Sequence, residues 1–149
     1  MKTIFLLVSV FLLVACSAVA APASEFDQAR EKWQEAGISH YRFDLNIGCF
    51  CAFSQDMPLS IEVQDGEVVS MEYRSGNEID PVNMEFFERF ETIDKIFEEL
   101  EKALDGDSDK VTVTYDETNG FPAEVSIDYM ELAADDEIYL TISNFEALP

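Results

Sequence analysis

Apolar and polar residues alternate along several segments of this chain, and the period differs between segments. From Ser24 to Gly37 the apolar residues recur at helical spacing, with Ser24 suited to the N-cap and Gly37 to the C-terminal stop. From 41 to 47 every second residue is apolar, which predicts a strand with one buried face. The outer face of that strand is expected to carry His40, Arg42, Asp44 and Asn46.

Two further strands are predicted on either side of a turn at Asp65-Gly66. One contains Leu59, Ile61 and Val63, and the other contains Val69, Met71 and Tyr73. Because side chains alternate between the two faces of a strand, the loop must hold three residues if Ile61 is to oppose Val69. The pattern therefore predicts a loop over 64–66 with a glycine bulge, which also opposes Leu59 to Met71.

The second half of the chain repeats the order of a helix followed by three strands. Residues 75–91 are acidic and irregular, with a helical turn expected at 84–90, and a helix begins at Thr92 with Leu104 on its apolar face. Strands are predicted at 111–115, 123–129 and 138–142. The fold class is therefore α+β: an antiparallel sheet with helices on one face, built from two related α-β-β-β units. This single domain covers residues 25–149.

The start of the chain has the pattern of an export signal. Lys2 precedes an apolar run over 4–14, and Leu13-Val14-Ala15-Cys16 matches a bacterial lipobox. We expect residues 1–15 to be removed as a signal peptide, the thiol of Cys16 to carry a diacylglyceryl chain, and 16–24 to form a tether. Ordinary secretion with cleavage after Ala20 is the alternative.

The charge of the chain excludes one class of partner. The sequence holds 9 Lys and Arg against 31 Asp and Glu, for a formal net charge of −22. Such a surface does not bind nucleic acid or anionic lipid headgroups unaided. A solvated acidic coat suited to a salty habitat, a basic partner and divalent cations all remain open.

Cys49-Phe50-Cys51 is the sharpest local motif. Outside the cytoplasm two spare cysteines usually pair, and a disulfide across so small a loop stabilises by about 1.6 kcal/mol in the chain-entropy model. The bridge would therefore fix the end of the first strand locally. A redox-active dithiol and a soft-metal site, with Cu(I) and Met57, are the alternatives.

Other candidate chemistry is sparse. His40 is the single histidine and is expected at the surface, and the sequence lacks a nucleophile elbow, a phosphate loop and an H-E-x-x-H helix. Asp105, Asp107 and Asp109 have the spacing of the first ligands in a calcium-binding loop. The match fails where such a loop has a glycine and a bidentate glutamate, because this chain has Lys110 and Asp116 there. We therefore assign no catalytic residue, metal or cofactor.

Several segments together resemble a known family. They are Y-R-F-D-L-N-I-G-C-F-C (41–51), V-Q-D-G-E-V-V-S (63–70), T-I-D-K-I-F (92–97), V-T-Y-D-E-T-N-G-F-P (113–122) and S-I-D-Y (126–129). The chain resembles domain of unknown function 6174, a family of bacterial exported proteins and lipoproteins. The resemblance implies a small α+β domain and carries no activity.

The expected function is a non-enzymatic binding or structural module of the cell envelope, held at the membrane by the lipid on Cys16. Its ligand is not specified by the sequence, and the open sheet face and the acidic 75–91 segment are the candidate contact surfaces. In a Gram-negative host, Ser17 favours the outer membrane. An envelope thiol redox or soft-metal protein using Cys49 and Cys51 is the rival.

Overall fold

A computed structural model describes residues 24–133 and 135–149. The predicted signal peptide, Cys16 and nearly all of the predicted tether lie outside these residues. The described residues form three helices, α1 (Glu25–Ala36), α2 (Pro81–Phe87) and α3 (Ile93–Lys102), and six strands, β1 (His40–Gly48), β2 (Leu59–Gln64), β3 (Glu67–Tyr73), β4 (Lys110–Tyr115), β5 (Pro122–Asp128) and β6 (Ile138–Ala147). Within the described part, no helix is long and apolar enough to cross a membrane.

The six strands form one open sheet in the order β3-β2-β1-β6-β5-β4, and every neighbouring pair is antiparallel. The central pair is β1 and β6. The predicted α+β class is therefore confirmed. Each half contributes its three strands in the same spatial order, 3-2-1 and then 6-5-4. A twofold repeat would give that order, and the relation between the halves stays a prediction.

Helix α1 is capped by the two residues that the sequence predicts, and α3 begins next to Thr92, where the sequence predicts a helix to start. At α1, Ser24 Oγ accepts from the backbone N–H of Asp27, and the Asp27 carboxylate accepts from the backbone N–H of Ser24. This reciprocal pair satisfies two N–H groups that the helix itself leaves free. Gly37 ends α1 in the left-handed conformation, with φ at 60°. At α3, Thr92 Oγ1 accepts from the backbone N–H of Lys95.

All three helices pack on one face of the sheet. The Trp33 ring of α1 meets Tyr41 of β1 edge-on, with centroids 5.4 Å apart. The hydroxyl of Tyr41 accepts from the backbone N–H of Ile93 at the start of α3. Phe87 of α2 lies edge-on against Tyr73 of β3, with centroids 6.1 Å apart. The core therefore lies between this face and the helices, as the alternation in β1 predicts.

The β2–β3 hairpin differs from the prediction. Its loop has two residues, Asp65 and Gly66, both with positive φ (53° and 83°), as the hairpin turns of this length require. The extra residue lies in β3 instead of in the loop: Val69 has no partner in β2, bulges from the strand and is 57% exposed. The predicted three-residue loop is wrong, and so are the pairs predicted from it. The observed pairs are Ile61 with Met71 and Leu59 with Tyr73.

The segment 75–91 is more ordered than its polar composition predicts. Asp80 caps α2 by accepting from the backbone N–H of Val82, so the helix covers 81–87, three residues earlier than predicted. Phe87 and Phe90 are fully buried. Part of this predicted contact surface therefore belongs to the core.

The apolar face of α3 also ends earlier than predicted. A π turn over Ala103–Asp107 replaces the regular helix, and Gly106 within it has φ of 114°. Leu104, expected on the buried face, is consequently 48% exposed.

The turn between β4 and β5 fits closely against α1. Asp116 accepts from the backbone N–H groups of Thr118 and Asn119, which fixes the turn. Gly120 follows with φ of 84°, and a Cβ at this position would lie 2.5 Å from the carbonyl oxygen of Ala29 in α1. Backbone approaches backbone here at a distance that a side chain would not permit.

Candidate functional site

The sheet face opposite the helices is open, and hydroxyl groups cross it in rows. The pairing of β4, β5, β6 and β1 places Thr112, Ser126 and Tyr139 in one row, and Thr114, Glu124, Thr141 and Asn46 in the next. A shallow groove of about 220 Å³ lies along β4, β5 and β6. Tyr139 is 52% exposed beside it. This open face therefore offers hydrogen-bond donors, acceptors and one aromatic ring to a partner.

Asp44 lies on the open face of β1 and is nevertheless only 3% exposed. Its carboxylate accepts from Asn144 Nδ2 at 2.7 Å, and Arg74 Nε lies 3.4 Å away. Both partners come from segments that are far from Asp44 in sequence. The alternation in β1 predicts the direction of this side chain correctly, but it does not predict that two other side chains cover it.

His40 also lies at the start of β1, beside two acceptors. Its Nδ1 is 3.0 Å from the main-chain oxygen of Pro149, and its Nε2 is 3.1 Å from Glu62 Oε1. Because both neighbours are acceptors, both ring nitrogens must be protonated to make both bonds. The Pro149 oxygen first, and then Glu62, raise the pKa of His40 above its ordinary value of 6.5. The geometry is that of a surface ion pair, with Arg42 on the other oxygen of Glu62.

The structure joins Cys49 and Cys51 in a disulfide. Their Cα atoms are 5.2 Å apart, which is shorter than the roughly 6.6 Å of an extended strand, so the chain bends after β1. Ser54 Oγ donates to the carbonyl oxygens of both cysteines. The residue between them, Phe50, is 85% exposed. The bridge therefore holds an aromatic ring outward.

Gly48, the last residue of β1, lies close to a side chain of the neighbouring strand. It pairs with Tyr139 of β6, and a Cβ on Gly48 would lie 3.3 Å from the Cβ of Tyr139. A glycine here therefore leaves room for the Tyr139 side chain.

Exposed apolar residues collect at the end of the sheet that contains the disulfide. Here β1 and β5 end and β6 begins, and Tyr139 of β6 pairs with Gly48 on one side and Ser126 on the other. We call this the cysteine end and the opposite one the far end. The cysteine end carries Phe50, together with Met130 and Leu132 from the connection after β5, which are 58% and 101% exposed.

The calcium-like loop does not assemble. Asp109 accepts from the backbone N–H of Glu131 at the cysteine end, whereas Asp116 fixes the turn at the far end of β4. Strand β4 lies between Asp109 and Asp116 and holds them at opposite ends, which the predicted strand over 111–115 already indicates. Within residues 24–133 and 135–149, no group of three or more His, Cys, Asp or Glu side chains could hold a metal ion.

Several carboxylates lie close together where β5 ends and β6 begins. Burial raises the pKa of Asp128, and the neighbouring charges of Asp136 and Glu137 raise it further. One carboxyl oxygen of Asp128 and both of Asp136 are buried without a hydrogen-bond partner in the described structure. Sequence pattern alone gives no sign of this crowding, because the carboxylates come from both sides of a loop.

The family of unknown function DUF6174 matches residues 25–147, from the first helix to the last residue of β6. The chain belongs to this family. No curated protein matches the sequence of this DUF6174 protein. No solved structure matches it either.

Two of the segments that carry the DUF6174 resemblance have clear structural roles. Residues 41–51 form the central strand β1 and the disulfide. Residues 113–122 contain the end of β4, the turn that fits against α1 and the first residue of β5. Both segments build the fold.

Proposed function

We propose that this DUF6174 protein is a non-enzymatic binding module of the bacterial cell envelope, held at the membrane by a lipid on Cys16. The observation that supports binding is the open face of the sheet. Its helices cover one side, while the other presents the groove of hydroxyl side chains beside the exposed ring of Tyr139. Tyrosine is favoured in contact surfaces because it combines a large apolar ring with a hydrogen-bonding group.

The charge of the protein limits its partner. The net charge is −22, and Glu62 and Glu124 lie on the open face itself. A partner with an acidic surface would be repelled, so the ligand is neutral or basic at its contact surface. A basic partner should bind more weakly as salt is added, whereas a neutral hydroxylated partner should be nearly insensitive to salt.

Site-directed photo-crosslinking in the native envelope tests the open face. A photo-reactive amino acid at Thr112 should give a discrete adduct, because this residue is exposed beside the groove. The matched control places the same amino acid at Glu31, an exposed residue of α1 on the helical side. The proposal fails if Thr112 gives no adduct, or if both positions give the same adducts.

The anchor is tested separately. Cys16→Ser removes the thiol that accepts the lipid, so fatty-acid labelling should be lost and the protein should leave the membrane fraction or stay unprocessed. Continued labelling of this variant would contradict the anchor. The crosslinking result does not depend on that outcome, because the open face belongs to the folded domain.

A further inference from the structure

Strand β4 leaves one edge of the sheet open to a further strand. It is the last strand in the sheet order, so no described strand pairs with its outer side. In an antiparallel pair, every second residue points its N–H and C=O groups away from the strand that it already contacts. Half of the six residues of β4 therefore direct backbone hydrogen-bonding groups outward, along an edge of roughly 20 Å.

The opposite edge of the sheet is protected in a way that β4 is not. Strand β3 carries the bulge at Val69, and a bulge on an edge strand hinders pairing with another strand. The irregular step between β4 and β5 places its extra residue, Ala123, in β5. The single charged residue of β4 is Lys110, at its first position. Most of this edge is therefore regular and uncharged.

A groove of about 470 Å³ lies beside β4 on the helical side of the sheet. Val113 and Tyr115 of β4 line it, and both are half-buried. Leu104 lines it too, because the π turn after α3 leaves this side chain 48% exposed. Phe26 contributes an aromatic ring from the start of α1. Side chains alternate between the faces of a strand, so a strand added to β4 would point every second side chain toward this groove.

The remaining residues that line the groove make it acidic. They are Ser24, Glu25, Asp27, Glu101 and Asp105. The carboxylate of Asp27 belongs to the cap of α1, and Glu101 accepts from Arg30 at 3.0 Å. Glu25 and Asp105 are exposed and form no ion pair within residues 24–133 and 135–149. Two carboxylates therefore remain for a cation from outside the chain.

Arg30 shows how a basic side chain fits beside this groove. Its guanidinium lies over the Phe26 ring, 5.8 Å from the centroid, and pairs with Glu101. An arginine or lysine on an added strand can lie in the same way, with its methylene stem on apolar residues and its charge at Glu25 or Asp105. A second copy of this chain would instead bring the same carboxylates and its own net charge of −22.

We infer that the outer edge of β4 accepts an extended segment of a basic polypeptide as a further strand, with basic side chains at alternate positions in the groove. Main-chain hydrogen bonds to the edge give such a complex its affinity, and the groove selects the side chains. The inference is independent of the proposed anchor at Cys16 and of the open face.

Fluorescence anisotropy tests the groove with the full-length protein and a labelled peptide of alternating threonine and arginine. Glu25→Gln/Asp105→Asn should weaken binding by about tenfold, because it removes both unpaired carboxylates. The matched control is Glu31→Gln/Glu35→Gln, which removes two exposed carboxylates of α1 outside the groove. Because the net charge changes equally, the control measures the long-range effect alone and should weaken binding by less than about twofold.

A second peptide tests the strand edge in the wild-type protein. Methylation of every backbone nitrogen keeps the charges of the peptide and removes its N–H donors, so binding should weaken by about tenfold or more. Amide hydrogen exchange should slow in β4 when the unmethylated peptide binds, and it should stay unchanged in β3, the protected edge.

The inference is wrong if the unmethylated peptide does not bind, if the two double variants bind it equally, or if the methylated peptide binds as tightly. Tight binding of the methylated peptide would show that the groove holds basic side chains without strand pairing. Sedimentation that reveals a dimer without peptide, together with slow exchange in β4, would assign the edge to a second copy and also overturn the inference.

Discussion

Gly120→Ala should destabilise the domain far more than Gly66→Ala. The two glycines have nearly equal φ, 84° at Gly120 and 83° at Gly66. Their surroundings differ: a Cβ at Gly66 would meet nothing within 4 Å, whereas at Gly120 it would lie 2.5 Å from the Ala29 carbonyl oxygen and 3.2 Å from the Trp33 nitrogen. The pair therefore separates the cost of positive φ from the cost of contact with α1.

The expected magnitudes follow from these distances. Placing alanine in the left-handed region costs about 1–2 kcal/mol, offset by about 0.4–1 kcal/mol from the stiffer unfolded chain. Gly66→Ala should therefore lose roughly 1 kcal/mol or less. At Gly120 the turn and α1 must separate by about 0.5 Å to bring the Cβ contact to 3.0 Å. Overpacking of this kind adds about 1–3 kcal/mol, so Gly120→Ala should lose about 2–4 kcal/mol.

Urea unfolding of both variants measures the difference. The midpoint should fall for Gly120→Ala without a change in slope, since the unfolded state exposes the same surface. For a domain of this size, each kcal/mol lowers Tm by about 3–6 °C. Equal losses in the two variants would refute the close approach between the turn and α1. A loss at Gly66 larger than at Gly120 would show that the hairpin turn governs stability instead.

Three further predictions concern the cysteine pair and the open face. Cys49→Ser/Cys51→Ser should still fold and lose about 1–2 kcal/mol in urea unfolding, and a reduction potential below about −300 mV would mark the bridge as structural. The folded state raises the pKa of His40, so the stability that protonated His40 contributes should be lost as pH rises from about 6.5 through the folded-state pKa. In thermal unfolding, His40→Gln should make Tm depend less on pH over this range. A pH profile that the substitution does not alter would contradict the contacts of His40 with Pro149 and Glu62. Asp44→Ala should cost about 1–3 kcal/mol in urea because it removes the hydrogen bond that the Asn144 amide donates to a buried carboxylate, while Glu72→Ala on the same face should cost almost nothing; equal losses would show that Asp44 is not specially held.

The sequence predicts the elements of this fold better than their registers. The alternation in β1, the caps at Ser24 and Gly37 and the start of a helix at Thr92 are local signals, and the structure confirms them. The β2–β3 loop is different. Alternation shows that one extra residue lies between the paired positions of the two strands, but it does not show whether that residue belongs to the loop or to a strand. A bulge at Val69 and a longer loop satisfy the same count.

The candidate site was only partly predictable for a related reason. The pairing of Cys49 and Cys51 was predicted because two spare cysteines usually pair outside the cytoplasm, but nothing local predicts how far Phe50 projects into solvent. The burial of Asp44 depends on Asn144, which is 100 residues away in sequence. The groove on the open face depends on the order of three strands, β4, β5 and β6, and the sequence pattern predicts that strands exist but not their order.

The central position of β6 has a consequence for how the domain is made. Strand β1 appears early in synthesis, but its second neighbour is residues 138–147, so the sheet cannot close until nearly the entire chain is available. Pairings so distant in sequence slow folding, because the entropy of closing a long loop is lost before the contacts between the strands stabilise the pair. While the chain is being made, β1, β2 and β3 can already pair with one another, but the second edge of β1 stays unpaired until β6 has been added.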